Sequence, residues 1–566
     1  MLDISFKIDD DGQEYLETSI TGKALLSISQ LNKGTAFTER ERHQFGLIGK
    51  LPSRVETLED QVARAYIQYH SFNEQINRNV HLNYLLNNNQ VLFYRLVKNH
   101  IKEILPTIYT PIVGNAVTSF NKRFMQPRGL YISYEDRDRI EEILDNRTNH
   151  DVKLIVVSDG EGVLGIGDQG IGAMAIPVAK LMVYTAFAGI NPSHTLPIML
   201  DAGTNNQELL EDPLYLGWRH PRIEGEEYNK FIAKFIAAIK AKLPYLFLHW
   251  EDFGRTNAYR NLISYREQIC SFNDDIQGTG VVATAAILAA AKRTNTPITE
   301  QRIVVFGAGT AGMGVTENIL KALIRNGLDE DTARSRFWLV DRFGLITENS
   351  HDLSEAQKSW ARKTSDIADW KVESGEYISL EKVVENVKPT ILIGCSAQAG
   401  AFSEAIIRNM ASQVEHPIIF PLSNPTEKAE ATPADILNWT KGKALIATGS
   451  PFEDVAYNGE IYPISQSNNY LAFPGIGLGV LACQATKLTD DMLWAASETL
   501  GTFTNNPKLL LPSIESAEAA SLAIAVAVAQ CAFKEGVAGI KEPENVETLV
   551  KQHIWTPQYL PYKKKD

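Results

Sequence analysis

The chain has 566 residues, 44% of them hydrophobic, and a formal net charge of -13. That apolar content excludes an intrinsically disordered chain, and at about 150 residues per domain the length points to roughly two to four domains. The acidic balance argues against a nucleic-acid or anionic-membrane partner, so an anionic substrate must be drawn in by local Arg, Lys or a metal.

The four cysteines, Cys270, Cys395, Cys483 and Cys531, show no CxxC spacing. This fits a reducing compartment and disfavours a structural zinc site. The N-terminal text MLDISFKIDDDGQEYLE is acidic. It lacks the order of a signal peptide and the Arg-rich character of a transit peptide. The apolar run Ala519–Phe533 is shorter than the about 20 residues a membrane span needs. A cytoplasmic protein is expected.

From Leu31 to Asn121 the chain reads mainly as helices. Val55, Leu58, Val62, Ala65 and Tyr66 recur near the 3.6-residue period, and Leu92, Phe93, Leu96 and Val97 repeat it. Pro106 and Pro111 bracket IYT, an irregular break that fixes Tyr109 either as a packing anchor or at a site edge. From Val152 the texture changes. KLIVVSDG is a continuous apolar strand of the kind buried in parallel sheets. VLGIG reads as a second strand leading into glycine-rich text and a helix that carries Lys180. A helical lysine is ordinarily solvated. Here apolar LMVYTAFAGI follows it, and a buried lysine has a lowered pKa and can act as a base near neutrality.

HTLPIMLD is another strand, and LFLHWEDFG ends a strand in Glu251 and Asp252. That end of an α/β sheet is where sites collect. In SFNDDIQGTG, Asp274 and Asp275 stand between Phe272 and a glycine turn, ahead of the apolar helix Val281–Ala291. Carboxylates beside apolar segments need a cation or hydrogen-bond donors. Any one of them is adequately explained as a cap or surface charge. Together Glu251, Asp252 and Asp275 form an all-oxygen set suited to Mg2+ or Mn2+.

RIVVF is followed at once by GAGTAGMG and an amphipathic helix. This is a dinucleotide fingerprint in its required strand–turn–helix setting, with Gly307, Gly309 and Gly312. The glycines admit a pyrophosphate and the helix N-terminus offers it free N–H groups. The next strand, FWLVD, ends in Asp341, which suits the ribose hydroxyls of NAD and repels the 2′-phosphate of NADP; the adjacent Arg342 softens that preference. PTILIGCS, HPIIFPLSNPT and KALIATGS add strands to a doubly wound domain. The tail KKKD reads as solvated.

The expected fold is α/β. A mainly helical domain spans 1–125. A parallel-sheet substrate and metal domain spans 126–280 and is completed by about 466–540. A Rossmann-type NAD-binding domain spans 281–465, and a tail spans 541–566. A divalent metal, a nicotinamide cofactor and a lysine base point to one chemistry. The base takes a hydroxyl proton as hydride passes to NAD, the metal polarises the carbonyl, a β-carboxylate leaves as CO2, and an acid such as Tyr109 protonates carbon.

LNKGTAF at 31–37, IYTP at 108–111, LGIGDQG at 164–170, EDF at 251–253, FNDDIQGT at 272–279, LSNPT at 422–426 and ATGSPF at 447–452 resemble the malic enzyme family across nearly the whole chain. The resemblance implies NAD- and Mn2+- or Mg2+-dependent conversion of L-malate to pyruvate and CO2. It implies Tyr109 as general acid, Lys180 as general base and Asp274 as the carboxylate that tunes the lysine. Glu251, Asp252 and Asp275 become metal ligands. Asn424 and Asn469 become amides that contact substrate and the nicotinamide region. A homodimer or homotetramer is expected.

One position departs from that pattern. The family's GER, whose Arg grips a malate carboxylate, is GEG here, with Gly162 in place of the Arg. Arg128 and Arg137 are upstream candidates to replace it. The related malolactic enzymes, which make L-lactate and CO2 with tightly held NAD, share the GEG-type text, HWEDFGR and FNDDIQGTG. Against them stand GDQG, IYTP, DRFGL and ATGSPF. A catalytically idle malate or nucleotide sensor is a third reading, opposed by the full retained set of site residues.

Overall fold

The computed structural model describes residues 4–163, 165–370, 377–504 and 506–565. The chain forms two compact units, one made of Met1–Ser158, Gln169–Leu246 and His553–Asp566, the other of Asp159–Asp168 and Phe247–Gln552. The break at 246/247 falls inside the stretch 126–280.

In the first unit the helical text folds as Leu58–His70, Gln75–Asn88, Gln90–Asn99, Ile101–Ile108 and Ile112–Thr118. Thr57 starts the first of these with a capping box. Its hydroxyl accepts from the Asp60 N–H at 3.1 Å, and the Asp60 carboxylate accepts from the Thr57 N–H at 3.0 Å. Val62, Ala65 and Tyr69 then fall on its buried face, as helical spacing dictates. Leu130–Ser133, Thr195–Asp201 and Leu154–Ser158 pair in parallel in that order.

One expectation needs correction here. VLGIG does not form a strand: Val163 and Gly167 make an isolated antiparallel bridge, and Leu164 lies outside the described residues. The tight approach of two glycine-flanked ends closes a turn where the apolar pattern suggested extension. The lysine side chains of the tail are exposed or half-exposed, as expected, but the backbone that carries them is built into a sheet. Tyr562–Lys564 pairs in parallel with Glu14–Thr18, which pairs in turn with Ser5–Ile8. The Tyr562 ring meets Phe37 and Phe45 edge-on at 5.8 and 6.2 Å.

In the second unit Phe247–Trp250 pairs in parallel with Ser271–Asn273. A seven-stranded sheet runs Gly344–Leu345, Phe337–Asp341, Ile303–Phe306, Ile391–Gly394, Ile418–Pro421, Leu445–Thr448, Ser465–Gln466. All its neighbours are parallel except the first pair. Chain order reverses between Ile303–Phe306 and Ile391–Gly394, the switch point where doubly wound sheets open a ligand crevice. Among the described residues two helical stretches, Gly170–Ala188 and Ile514–Lys534, are long and apolar enough to cross a membrane. The second outgrows the Ala519–Phe533 run because flanking residues join the helix. In the first, 83% of the apolar window is buried. The second receives Gly475 against Ser521 and Ile524, and Gly479 against Ala525 and Val528.

Candidate active-site residues

Strand Phe247–Trp250 delivers the acidic pair. Side chains two apart share a strand face, so His249 and Glu251 meet: a His249 ring nitrogen lies 2.6 Å from a Glu251 carboxylate oxygen, both fully buried. His249 was not among the expected site residues, although its i, i+2 spacing from Glu251 is the signal that marks it. The chain then turns left-handed at Asp252, φ 55, a conformation that non-glycine residues rarely hold. This turn breaks the alternation that would send adjacent side chains to opposite faces. One carboxylate oxygen from each of Glu251, Asp252 and Asp275 lies within 4.8 Å of the others. The Asp252 N–H donates to Asp275 at 2.9 Å. Like charges so close, two of them buried, repel strongly. A divalent cation among them relieves that repulsion, and the oxygen-only set fits Mg2+ or Mn2+.

Asp274 opens a single π-helical turn, Asp274–Gly278, ahead of helix Thr279–Thr294. Such turns recur at functional sites. Asn273 pins it, its side-chain oxygen accepting from the Ile276 N–H at 2.9 Å and its own N–H donating to Gln277 at 2.9 Å. The Asn469 amide donates to the Asp274 carboxylate at 2.9 Å, so two expected site residues come together. A Cβ at Gly278 would fall 2.1 Å from Asp274 Oδ1; only glycine leaves that carboxylate room. Glu251, His249 and Asp274 also offer ligand atoms within 4.8 Å of one another.

The glycines of the dinucleotide turn have three separate tasks. Gly307 holds φ 108, and a Cβ there would sit 2.3 Å from the Cys395 carbonyl. A Cβ on Gly312 would sit 1.9 Å from the Gly307 carbonyl. A Cβ on Gly309 would meet no described atom within 4 Å beyond its chain neighbours, which leaves that side of the backbone open to a ligand. Turn, open approach and close helix packing are the three roles a pyrophosphate site assigns to such glycines. Gln357, also missed in the sequence, donates to the Ala308 carbonyl at 3.1 Å. Asp341 accepts from the Phe343 N–H at 2.7 Å. Arg342 lies over the Phe343 ring at 4.5 Å. Burial lowers the Arg255 guanidinium pKa, and the charge of Asp341 pulls it back up, so a second guanidinium accompanies that carboxylate. Asn424 accepts from the Ser450 hydroxyl at 2.6 Å.

Tyr109 and Lys180 belong to the first unit. Tyr109 caps helix Ile101–Ile108, and Lys180 sits within helix Ala175–Ala188. Both are buried, at 6% and 4% exposure, as the base reading of Lys180 requires. The lysine ammonium lies 5.4 Å from the Tyr109 ring centroid. Arg128 bonds to Asn87, and burial lowers its pKa to about 10; Arg137 stacks on Tyr134 at 4.4 Å.

Gly162 packs against the Asp252–Gly254 backbone of the second unit. Its N–H donates to the Asp252 carbonyl at 3.0 Å, and a Cβ would lie 2.8 Å from the Phe253 carbonyl. A side chain at 162 therefore displaces the backbone that follows Asp252.

Residues 86–266 match the family model described as malic enzyme, N-terminal domain, and residues 276–533 match that described as malic enzyme, NAD binding domain. The NAD-dependent malic enzyme of Enterobacter sp. is 48% identical over 547 residues, covering 96% of this chain and 97% of that protein. The NAD-dependent malic enzyme of Escherichia coli is 47% identical over 556 residues, covering 98% of each. Among solved structures, the malic enzyme of Entamoeba histolytica aligns with TM-score 0.55 at 22% identity over 90% of each chain. That of Pyrococcus horikoshii aligns with TM-score 0.54 at 24% identity, covering 80% of this chain and 88% of that one. At those identities the structural likeness speaks to fold alone.

Proposed function

Because the chain belongs to the malic enzyme family, we propose that it catalyses NAD-dependent, divalent-metal-dependent oxidative decarboxylation of L-malate to pyruvate and CO2. The observation that carries this is the convergence of Glu251, Asp252 and Asp275 within 4.8 Å, in the unit that also bears the three-glycine turn. When bound, NAD+ accepts the hydride and Mn2+ or Mg2+ polarises the carbonyl as a Lewis acid.

The chain's own groups do the rest. Lys180 takes the proton from the substrate hydroxyl, and its burial keeps bulk water from competing for that proton. Tyr109 returns a proton to carbon after CO2 has left. Asp274 tunes the lysine, and Asn469 fixes the orientation of the Asp274 carboxylate. Gly307, Gly309 and Gly312 receive the pyrophosphate, Asp341 the adenosine ribose, and Asn424 with Asn469 the substrate and nicotinamide region. The enzyme is a cytoplasmic homodimer or homotetramer with no nucleic-acid or membrane partner.

A product assay with L-malate, NAD+ and Mn2+ tests the reading. Pyruvate and free NADH are expected in equal amounts. Lactate without NADH release would replace it with the malolactic reaction, which the glycine at 162 keeps in view. If neither pyruvate nor lactate forms, a sensor replaces it. Light scattering on the purified protein tests the oligomer, which a monomer mass would overturn.

A further inference from the structure

Glu430 is 0% exposed, and its carboxylate reaches the ends of two neighbouring strands of the nucleotide sheet. One oxygen accepts from the Ser396 N–H at 2.8 Å, the Ser396 hydroxyl at 2.8 Å and the Ser423 hydroxyl at 2.5 Å. The other accepts from the Ser423 N–H at 3.4 Å. Gly394 stands so close that a Cβ there would fall 2.5 Å from the Glu430 side chain.

A buried charge is stable only when donors surround it, and a well-packed apolar residue would serve cohesion better. The carboxylate is therefore explained by what it holds. Strand Ile391–Gly394 leads into Cys395, Ser396 and Ala397, and strand Ile418–Pro421 leads into Leu422, Ser423 and Asn424. Ser423 donates to Glu430 and accepts from the Ala397 N–H at 2.8 Å, where Ala397 holds a left-handed φ of 54. The next residue, Asn424, receives the Ser450 hydroxyl at 2.6 Å. The Cys395 carbonyl is the group against which Gly307 packs. One carboxylate thus ties the loop at the switch point, beside the glycine turn, to the loop of the next strand.

We propose that Glu430 is the positioning residue of the cofactor site. Through Ser396 and Ser423 it holds Ala397 and Asn424 in the arrangement that receives the nicotinamide half of NAD. It acts through these loops and does not touch the cofactor. The proposal rests on the reading of Asn424 given above.

Glu430→Gln tests it. The amide keeps the volume but turns an NH2 group toward groups that are themselves donors. The KM for NAD+ and the NADH dissociation constant, read by fluorescence, should each rise about tenfold, the effect of one lost charge-assisted hydrogen bond. The Mn2+ activation constant should stay at its original value, and the thermal midpoint should fall only by the few degrees that one unsatisfied buried donor costs. Ser423→Ala should act in the same direction, and the double variant should be no worse than the worse single one, because both break one link.

Unchanged NAD+ and NADH constants in Glu430→Gln would overturn the proposal. A joint fall of Mn2+ response, thermal midpoint and NADH affinity would overturn it too, since that is mere structural damage. Asn424→Ala separates the two readings. If its NAD+ constant is unchanged, the role of Asn424 and the proposal both fall. If that constant rises while that of Glu430→Gln does not, the proposal falls alone. Should Glu430→Gln fail to fold, Ser423→Ala is judged by the same constants.

Discussion

The 2.6 Å contact between His249 and Glu251 makes the aim of a proposed ligand carboxylate depend on a residue outside the oxygen triad. Partners of that kind are worth about 10- to 100-fold in metal affinity. His249→Leu should raise the Mn2+ activation constant by that order, and an unmoved Mn2+ titration would refute the contact's importance. For Lys180, the proposed base, substitution by Ala should abolish hydride transfer in a single-turnover assay while NADH still binds; near-normal turnover would remove it from the mechanism. At Gly162 the argument is steric. Gly162→Arg should lower stability by about 1–3 kcal/mol, the usual cost of forcing a group into filled space, and weaken Mn2+ binding by displacing the backbone after Asp252. A stable Gly162→Arg variant with tighter malate binding would show that the space exists after all.

At the scale of an element, the dinucleotide turn separates packing from binding. Gly309→Ala should leave the thermal midpoint unchanged, because the added methyl group meets no described atom beyond its chain neighbours, yet raise the KM for NAD+ as that group meets the ligand. Gly312→Ala should lose both, since its Cβ would lie 1.9 Å from the Gly307 carbonyl. Equal stability for the two variants would contradict this division. The turn was legible in the sequence because its parts are contiguous: an apolar strand, three glycines and a helix follow one another between Ile303 and Arg325. The two acidic pairs were legible for the same reason. Glu430 was not, because its partners Ser396 and Ser423 lie on separate loops that only the parallel pairing of their strands brings together. VLGIG was misread because so short an apolar run fits a closed turn as well as a strand.

At the scale of the whole chain, the C-terminus is part of the first unit's core. The Lys33 ammonium is 2.6 Å from Glu41 and 3.9 Å from the Tyr562 ring centroid, and Tyr562–Lys564 completes the sheet started by Ser5–Ile8. That strand lies more than 500 residues from its partner, so no local pattern could reveal it. Tyr562→Ala removes a buried ring and leaves the cation side of an ion pair poorly covered. It should cost about 3–5 kcal/mol and lower the thermal midpoint without altering the NAD+ constants at low temperature. An unchanged midpoint would mean the tail is dispensable.

The left-handed turn at Asp252 has a consequence for laboratory evolution. Glycine and asparagine hold that backbone more readily than aspartate, and neither adds a third charge to the carboxylate cluster. A library selected only for resistance to heat, in chelating buffer, should therefore accumulate Asp252→Gly and Asp252→Asn. The same library selected for growth on malate should purge them. Asp252 is where durability and turnover pull in opposite directions.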